Sequence, residues 1–217
     1  MIAAVAGRVL SLANLHSLGC DLLAKDDAKR TALHHAAKHN QCEILDAILG
    51  MLGEDRLAAA LEARAADQST AVHEAVSAGH LEATRLLLSR RKGLVEAEKR
   101  DGARPIHLAA LLGRWDLIDM LASSPFECDV DASTSSGATA LFIVSSQPVP
   151  QEHVVDGIHL LAGEFRADVD KSTQVGGPLH AAVLNNNADA VRAIIGYGAN
   201  LNAITRDGES PIALASR

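Results

Sequence analysis

Aromatic residues are nearly missing from this sequence and make up 2% of its 217 residues. The apolar fraction of 48% therefore comes mainly from Ala, Leu, Val and Ile, a composition that suits packed helices. A chain of this length and apolar content can bury a sizeable core. Disorder is excluded as its main state.

Cysteine is also scarce, and basic residues are fewer than acidic ones. Cys20, Cys42 and Cys128 are odd in number and lack a C-x-x-C pair, so we expect no disulfide framework and favour a reducing compartment. The formal net charge is -7 at pH 7, from 20 basic and 27 acidic residues, which argues against a nucleic-acid partner. No apolar run approaches the roughly 18 residues of a membrane span, so we expect no membrane insertion.

A short segment recurs along the chain at intervals of 33 to 39 residues. Small residues follow each start, and then come Gly or Asn, which tolerate the left-handed backbone that ends helices. A second apolar-periodic stretch completes each period. This period predicts a solenoid in which every repeat is a pair of short antiparallel helices. The copies begin at Thr31, Thr70, Arg104, Thr139, Gly177 and Ser210.

Two stretches show what kind of repeat this is. The run Asp101-Gly-Ala-Arg-Pro-Ile-His107 and the run Gly198-Ala-Asn-Leu-Asn202 resemble the ankyrin repeat. The resemblance extends to the N-terminus, because Ala3, Ala4 and Gly7 fall in the same register. It implies an all-α ankyrin-repeat solenoid of helix-turn-helix repeats joined by β-hairpin-like loops.

The repeat starts define the expected domain organisation. We predict a single ankyrin repeat domain over residues 1–217, with an insertion around residues 51–56 that a helix over 57–66 extends. The fourth repeat departs most from the pattern, with Phe142 in place of His and with Pro148 and Pro150 near the turn, so we predict that it is the least stable. The divisions are a partial repeat 1–30, repeats at about 31–69, 70–103, 104–138, 139–176 and 177–209, and a partial repeat 210–217.

The histidines invite a metal or catalytic interpretation. The resemblance implies that the repeat histidines link neighbouring backbones, which makes them structural. His35 and His39 share a helix face, but Cys42 falls beyond the turn at Asn40, so we predict no metal site and no cofactor. The repeat histidines are His34, His73, His107 and His180.

Catalytic signatures are lacking too. The sequence contains no G-x-S-x-G elbow, no phosphate-binding loop and no H-E-x-x-H helix. We therefore predict that the chain is not an enzyme and has no small-molecule substrate.

In the ankyrin family the concave face and the hairpin tips contact partners. Leu111 and Leu112 are the main candidates, because an exposed helix face has no folding reason to be apolar. Trp115 opens an outer helix, where packing and an interface role both remain open. The resemblance places these candidates at helix ends and tips: Lys38, His39, Leu111, Leu112, Leu184, Asn185, Asp101 and Asp207.

These features predict a non-catalytic protein-protein interaction module or adaptor that binds a partner protein through the concave groove and hairpin tips. The alternative is the substrate-targeting ankyrin domain of a larger enzyme or pathogen effector, such as a ubiquitin ligase or kinase. We expect a cytoplasmic location, and the nucleus is compatible.

Overall fold

The computed structural model describes residues 9–148 and 153–217. The register residues Ala3, Ala4 and Gly7 and the fourth-repeat Pro150 lie outside these ranges. The chain forms two compact units, unit 1 over residues 1–100 and unit 2 over residues 101–217. That all 217 residues form a single domain stays a prediction.

Unit 1 contains two inner and outer helix pairs, as the repeat pattern predicts. The turns between paired helices contain Asn40, with φ 52°, and Gly79, with φ 76°, so the left-handed residues stand where the sequence places them. The insertion forms a helix of its own that begins at Glu54 and ends at Leu61, short of the predicted residue 66. The helices are α1 Val9–Ser17, α2 Ala32–Lys38, α3 Cys42–Met51, α4 Glu54–Leu61, α5 Ala71–Ser77 and α6 Leu81–Arg90, followed by a 3₁₀ turn Lys92–Glu96.

Unit 2 repeats the same pairing. The turns after its first and third inner helices contain Gly113 and Asn186, both with positive φ. Its fourth-repeat outer helix changes to a π turn, which accommodates extra residues in the helix. The helices are α7 Pro105–Leu111, α8 Trp115–Ala122, α9 Ala140–Ser145, α10 Val154–Ile158 with the π turn His159–Glu164, α11 Pro178–Leu184, α12 Ala188–Gly196 and α13 Pro211–Ala215.

Four inner helices, α2, α5, α7 and α11, begin with a cap made by the repeat histidine. His34 Nδ1 accepts a hydrogen bond from the Thr31 N–H at 3.2 Å, and the same bond recurs at His73, His107 and His180. The ring thus fills the place of the Glu in a capping box. In α9, Phe142 replaces the histidine, and there the Thr139 hydroxyl accepts from the Phe142 N–H at 3.2 Å.

The other ring nitrogen joins successive repeats. Nε2–H of His34 donates to the Ser69 carbonyl at 3.2 Å, His107 donates to Ala132 at 2.9 Å, and His180 donates to Ala203 at 3.1 Å. Burial lowers the pKa of His34 and His107, which keeps them in the neutral form that these bonds require. The structure confirms the linking role that the resemblance implies for these three histidines.

Aspartate side chains form a second link between repeats of unit 2. Asp131 Oδ1 accepts from the Asp168 N–H at 2.9 Å, and Asp170 Oδ1 accepts from the Asn200 N–H at 2.9 Å. These residues precede the hairpins of consecutive repeats. We call this set of bonds the aspartate ladder.

Aliphatic side chains fill the core of each unit. Trp115, for which packing and an interface role were both open, packs its indole against Gly157 of α10, where a Cβ atom would approach the ring to 2.7 Å. The structure therefore supports the packing role. The largest fully buried side chains include Leu33, Ile44, Leu45, Ile48 and Leu87 in unit 1 and Ile106, Leu117, Ile118, Leu121 and Leu141 in unit 2.

Candidate functional site

The candidate site begins with the last residues of α7. Leu111 ends this helix and Leu112 caps it, and both lie outside the buried stripe that Ile106, Ala109 and Ala110 contribute to the core. Leu111 is 58% exposed and Leu112 is 46% exposed. Folding does not bury these two side chains, in agreement with the expectation from their sequence position.

A pocket of about 410 Å³ lies beside Leu111. Leu108 stands three residues before Leu111 on the same face of α7, and Ile143 of α9 faces the same space. Two alanines, Ala103 and Ala138, complete the apolar lining. The resulting depression is large enough for an apolar side chain from another molecule.

Two hairpin tips form the polar rim of this pocket. The Ser135 N–H donates to the Asp101 carbonyl at 2.9 Å, which joins the tips of consecutive repeats. Gly102 allows this approach, because a Cβ atom at its φ of 74° would lie 2.7 Å from the Ser135 nitrogen. Thr134, Ser135 and Ser136 contribute hydroxyl groups to the lining.

Asp101 carries the formal charge among the described residues that line the pocket. Its Oδ1 accepts a hydrogen bond from the Ala103 N–H at 3.1 Å, and the residue is exposed. His107 also lines the pocket, but burial lowers its pKa and both ring nitrogens are bonded to backbone. The pocket is therefore apolar inside with one carboxylate at its edge.

The two units differ in charge. Residues 1–100 contain thirteen basic and thirteen acidic side chains, whereas residues 101–217 contain seven basic and fourteen acidic side chains. The whole formal charge of -7 thus belongs to unit 2, the unit that holds the pocket.

The structure brings together only two of the predicted contact residues, Leu111 and Asp101, in one pocket. Leu184 is 60% exposed at the end of α11, and Asn185 is half-buried, with its Nδ2 donating to the Ala181 carbonyl at 2.9 Å. Asp207 is exposed on its hairpin.

In unit 1, Lys38 and His39 are exposed at the end of α2. His80 Nε2 donates to the Lys38 carbonyl at 3.1 Å, so a side chain of the next repeat stabilises this helix end. The Lys38 side chain itself is exposed. These two residues form a polar surface of their own.

The matching position of repeat four lies inside the protein. Gln147, at the position in repeat four that corresponds to Leu112, is 7% exposed and not on the surface. Its Nε2 donates to the carbonyls of Ala110 and Leu111 at 3.2 and 3.0 Å. Gln147 therefore holds the helix end that presents Leu111.

Sequence reasoning missed several lining residues. The spacing of Leu108 and Leu111 in one helix was a usable signal for a shared face. Ile143 and the hairpin serines gave none, because they reach the pocket from the next repeat. Further exposed apolar side chains in unit 2 that were not predicted are Val175, Ile204 and Ile212.

The described residues also bear on metal binding and membrane insertion. Within residues 9–148 and 153–217, no group of three or more His, Cys, Asp or Glu side chains is placed to hold a metal ion. His35 Nε2 instead lies 2.7 Å from Asp26 Oδ2, and the Cys42 thiol points to Asn40 at 3.5 Å. Over the same ranges, no helix has the length and hydropathy needed to cross a bilayer.

Paired helices, hairpin turns and histidine links at a common spacing define a tandem-repeat protein of the solenoid type. The family profile described as "Ankyrin repeats (3 copies)" matches residues 1–93 and 53–134, and the profile "Ankyrin repeat" matches residues 177–206. The chain belongs to the ankyrin repeat family. Ankyrin repeats are protein-interaction modules.

Curated relatives resemble the chain over part of their length. A protein from Danio rerio whose name describes it as a palmitoyltransferase, ZDHHC13, is 27% identical over 210 residues, which cover 92% of this chain and 29% of that protein. The NF-kappa-B inhibitor cactus of Drosophila yakuba is 30% identical over 110 residues, 51% of this chain and 22% of that protein. The chain therefore spans less than a third of the length of either relative.

Solved structures share the fold. The ankyrin repeat domain of human ASB11 superposes with a TM-score of 0.77 at 24% identity and covers 98% of this chain and 89% of that chain. The ankyrin repeat domain of Bcl-3 gives a TM-score of 0.80 at 22% identity, over 99% of this chain and 92% of that chain. These likenesses confirm the predicted all-α ankyrin solenoid.

Proposed function

We propose that the chain is a non-catalytic recognition module that binds a partner protein through the ends of its inner helices and its hairpin tips. The observation that carries the proposal is the exposure of Leu111 and Leu112 beside an apolar pocket. Exposed aliphatic side chains next to a depression are typical of protein interfaces. The proposed contact residues are Lys38, His39, Leu111, Leu112, Leu184, Asn185, Asp101 and Asp207.

Charge and thiol chemistry support a protein partner inside the cell. A unit with a formal charge of -7 repels the phosphate backbone of nucleic acids. Cys20 and Cys42 are free thiols, as is common in the reducing cytoplasm or nucleus. We therefore propose a cytoplasmic or nuclear protein that binds other proteins.

Affinity capture from a lysate of the source cells, with mass spectrometry, tests the module. The variant Leu111→Glu/Leu112→Glu places two carboxylates on the proposed contact face. The amount of each specific partner that it captures should fall by about tenfold or more. The control Leu10→Glu/Leu18→Glu makes the same chemical change at leucines that are 82% and 81% exposed in unit 1. This control should capture the partners as the wild type does. Circular dichroism verifies that both variants fold.

Three outcomes separate the candidate surfaces. Loss with the unit 2 variant alone supports the unit 2 part of the proposed site. Loss with Lys38→Glu/His39→Glu as well assigns unit 1 a part in binding. Retention of the same partners by both variants would move the contact surface to the outer helices.

A second candidate function is that of the targeting segment of a longer protein. The observation in its favour is that 92% of this chain aligns with 29% of the Danio rerio relative, whose name describes a transferase. An antibody against residues of unit 2 would report the mass of the native protein in source cells. A band near the 22.7 kDa of the chain supports the module by itself, and a much larger band supports the targeting segment.

A further inference from the structure

We propose that the pocket beside Leu111 binds a peptide segment of the partner in which a large apolar side chain stands next to Lys or Arg. This inference rests on the proposed function and specifies the chemistry of the partner. It concerns the pocket formed by α7, α9 and two hairpin tips in unit 2, hereafter the Leu111 pocket.

The interior of the Leu111 pocket selects for an apolar group. Leu108, Leu111 and Ile143 supply its walls, and the neutral ring of His107 adds no charge. A charged side chain placed there would lose its hydration without gaining a partner, whereas an aliphatic or aromatic side chain would bury apolar surface. The volume of about 410 Å³ suits one anchoring side chain and part of its neighbours.

The rim determines the sign of the neighbouring charge. Asp101 is exposed at the edge of the pocket, and one of its carboxylate oxygens accepts from the Ala103 N–H at 3.1 Å. The backbone bond between the Ser135 N–H and the Asp101 carbonyl, at 2.9 Å, fixes this residue beside the pocket. A cation one or two positions from the apolar anchor can therefore pair with Asp101.

The field of unit 2 favours the same sign. Residues 101–217 carry twice as many acidic as basic side chains, fourteen against seven. Such an excess accelerates the approach of a cationic segment and slows that of an anionic one. The local carboxylate and the charge of the unit thus agree, and both complement a basic partner.

One rim hydroxyl suits a peptide backbone. Thr134, Ser135 and Ser136 lie along the pocket on one hairpin. The Thr134 and Ser136 hydroxyls bond to each other at 3.0 Å, so the Ser135 hydroxyl, which can both donate and accept, is the group that can pair with the N–H or carbonyl group of an extended segment. The Leu111 pocket therefore offers an apolar cavity, a carboxylate and a hydroxyl partner for the backbone within one surface.

Selection of a phage-displayed library of random linear peptides on the full 217-residue chain tests the inference. The selected sequences should share a Leu, Ile, Met or Phe flanked by Lys or Arg. A fluorescein-labelled synthetic peptide with the consensus is then titrated against the wild type and the variants by fluorescence anisotropy.

Three variants assign the binding to the pocket and its rim. Leu111→Gln should lower the affinity for the peptide by about tenfold, as expected for the loss of an anchoring contact. Asp101→Asn keeps the acceptor for the Ala103 N–H. It should lower the affinity for the peptide about threefold and make that affinity less dependent on salt concentration. The control Asp55→Asn removes the same charge from the exposed start of α4 in unit 1 and should change the affinity little.

Each other outcome overturns the inference. An acidic consensus would contradict the proposed sign of charge. A consensus of apolar residues alone, with equal affinity for the wild type and Asp101→Asn, would remove the basic requirement. The absence of any enriched peptide would exclude a short linear segment, while loss of partners from Leu111→Glu/Leu112→Glu in the lysate experiment would still support the proposed function.

Discussion

Units 1 and 2 are built from the same repeat but present different surfaces. The inner-helix end of α2 in unit 1 carries Lys38 and His39, whereas that of α7 in unit 2 carries Leu111 and Leu112. Unit 1 is balanced in charge, and unit 2 carries the formal charge of -7. The buried positions fix the repeat, and the exposed ends are left to vary, so the two units can serve different contacts on one architecture.

The ion pairs of the two units also differ in what they connect. In unit 1 they join successive repeats, as in Arg30–Glu74 at 3.0 Å and Arg90–Asp46 at 2.6 Å. In unit 2 the pair Arg192–Asp189 lies within α12, between residues three apart. The charges of unit 1 thus contribute to the stacking of its repeats, and this pair of unit 2 stays within one helix.

The largest expected difference concerns two glycines in outer helices. Gly157→Ala in unit 2 should lower the free energy of unfolding by about 2 kcal/mol, because the new Cβ meets the Trp115 ring at 2.7 Å. Gly50→Ala in α3 of unit 1 has open space and should raise it by about 0.5–1 kcal/mol. Urea unfolding followed by circular dichroism measures both.

A second substitution shows whether the ring is the cause. Trp115→Leu removes the clash, so Gly157→Ala should cost less in that background than in the wild type. Effects of the same sign at Gly50 and Gly157 would contradict the difference in packing between the two outer helices.

The next expected difference concerns the ion pairs. Arg30→Ala leaves Glu74, which is 8% exposed, without its partner and should destabilise the chain by about 1–2 kcal/mol, since Arg30 itself is partly exposed. Arg192→Ala removes an exposed pair of unit 2 and should change the stability by less than about 0.5 kcal/mol. Thermal unfolding compares the two.

Glu74→Gln sharpens the comparison. Combined with Arg30→Ala, it removes the unpaired charge and should recover part of the lost stability. Equal destabilisation by Arg30→Ala and Arg192→Ala would show that the pairs of the two units do not differ in strength.

The smallest difference between the two units is expected with pH, because each unit contains a buried inner-helix histidine of lowered pKa. The pKa of His34 and of His107 is lowered by burial, so below the ordinary value of about 6.5 the unfolded chain binds more protons than the folded one. Stability should therefore fall as the pH drops below about 6.5, by about 1 kcal/mol per pH unit for each histidine that stays neutral.

Phe substitutions test this assignment, because α9 already accommodates Phe142 at the same position. His34→Phe and His107→Phe should each reduce the slope of the urea midpoint between about pH 7.5 and pH 5.5. The carboxyl of Asp26, whose pKa is lowered by its bond from His35, titrates below this window. An unchanged slope in both variants would contradict the assignment.

The sequence was sufficient to predict the helix pairs, the turns at Asn40, Gly79 and Gly113, and the exposure of Leu111. The helix pairs and the turns depend on local conformational preference or on a periodic pattern within one repeat, whereas the exposure of Leu111 is what the resemblance to the ankyrin repeat implies. The relative stability of the fourth repeat stays a prediction.

The Leu111 pocket was not predictable in the same way. Its walls come from α7 and α9, and its rim comes from two hairpins, so its shape depends on how consecutive repeats pack. Gln147 shows the same limit: it occupies the same repeat position as the exposed Leu112, yet its side chain is buried and bonds to two carbonyl groups at the end of the preceding inner helix. Contacts between repeats decide whether such side chains are buried or exposed. The sequence of one repeat alone does not predict it.

The aspartate ladder has a consequence for how such a chain can grow. The bonded residues Asp131 and Asp168 are 37 positions apart, whereas Asp170 and Asn200 are 30 positions apart, yet both bonds are 2.9 Å long. The same bond thus forms in both repeats although the sequence separation of the bonded residues differs by seven. Duplication of a repeat, or insertion of a foreign segment after an outer helix, would leave each of these hydrogen bonds intact. Evolution and engineering can therefore lengthen the chain without redesigning the contacts between repeats.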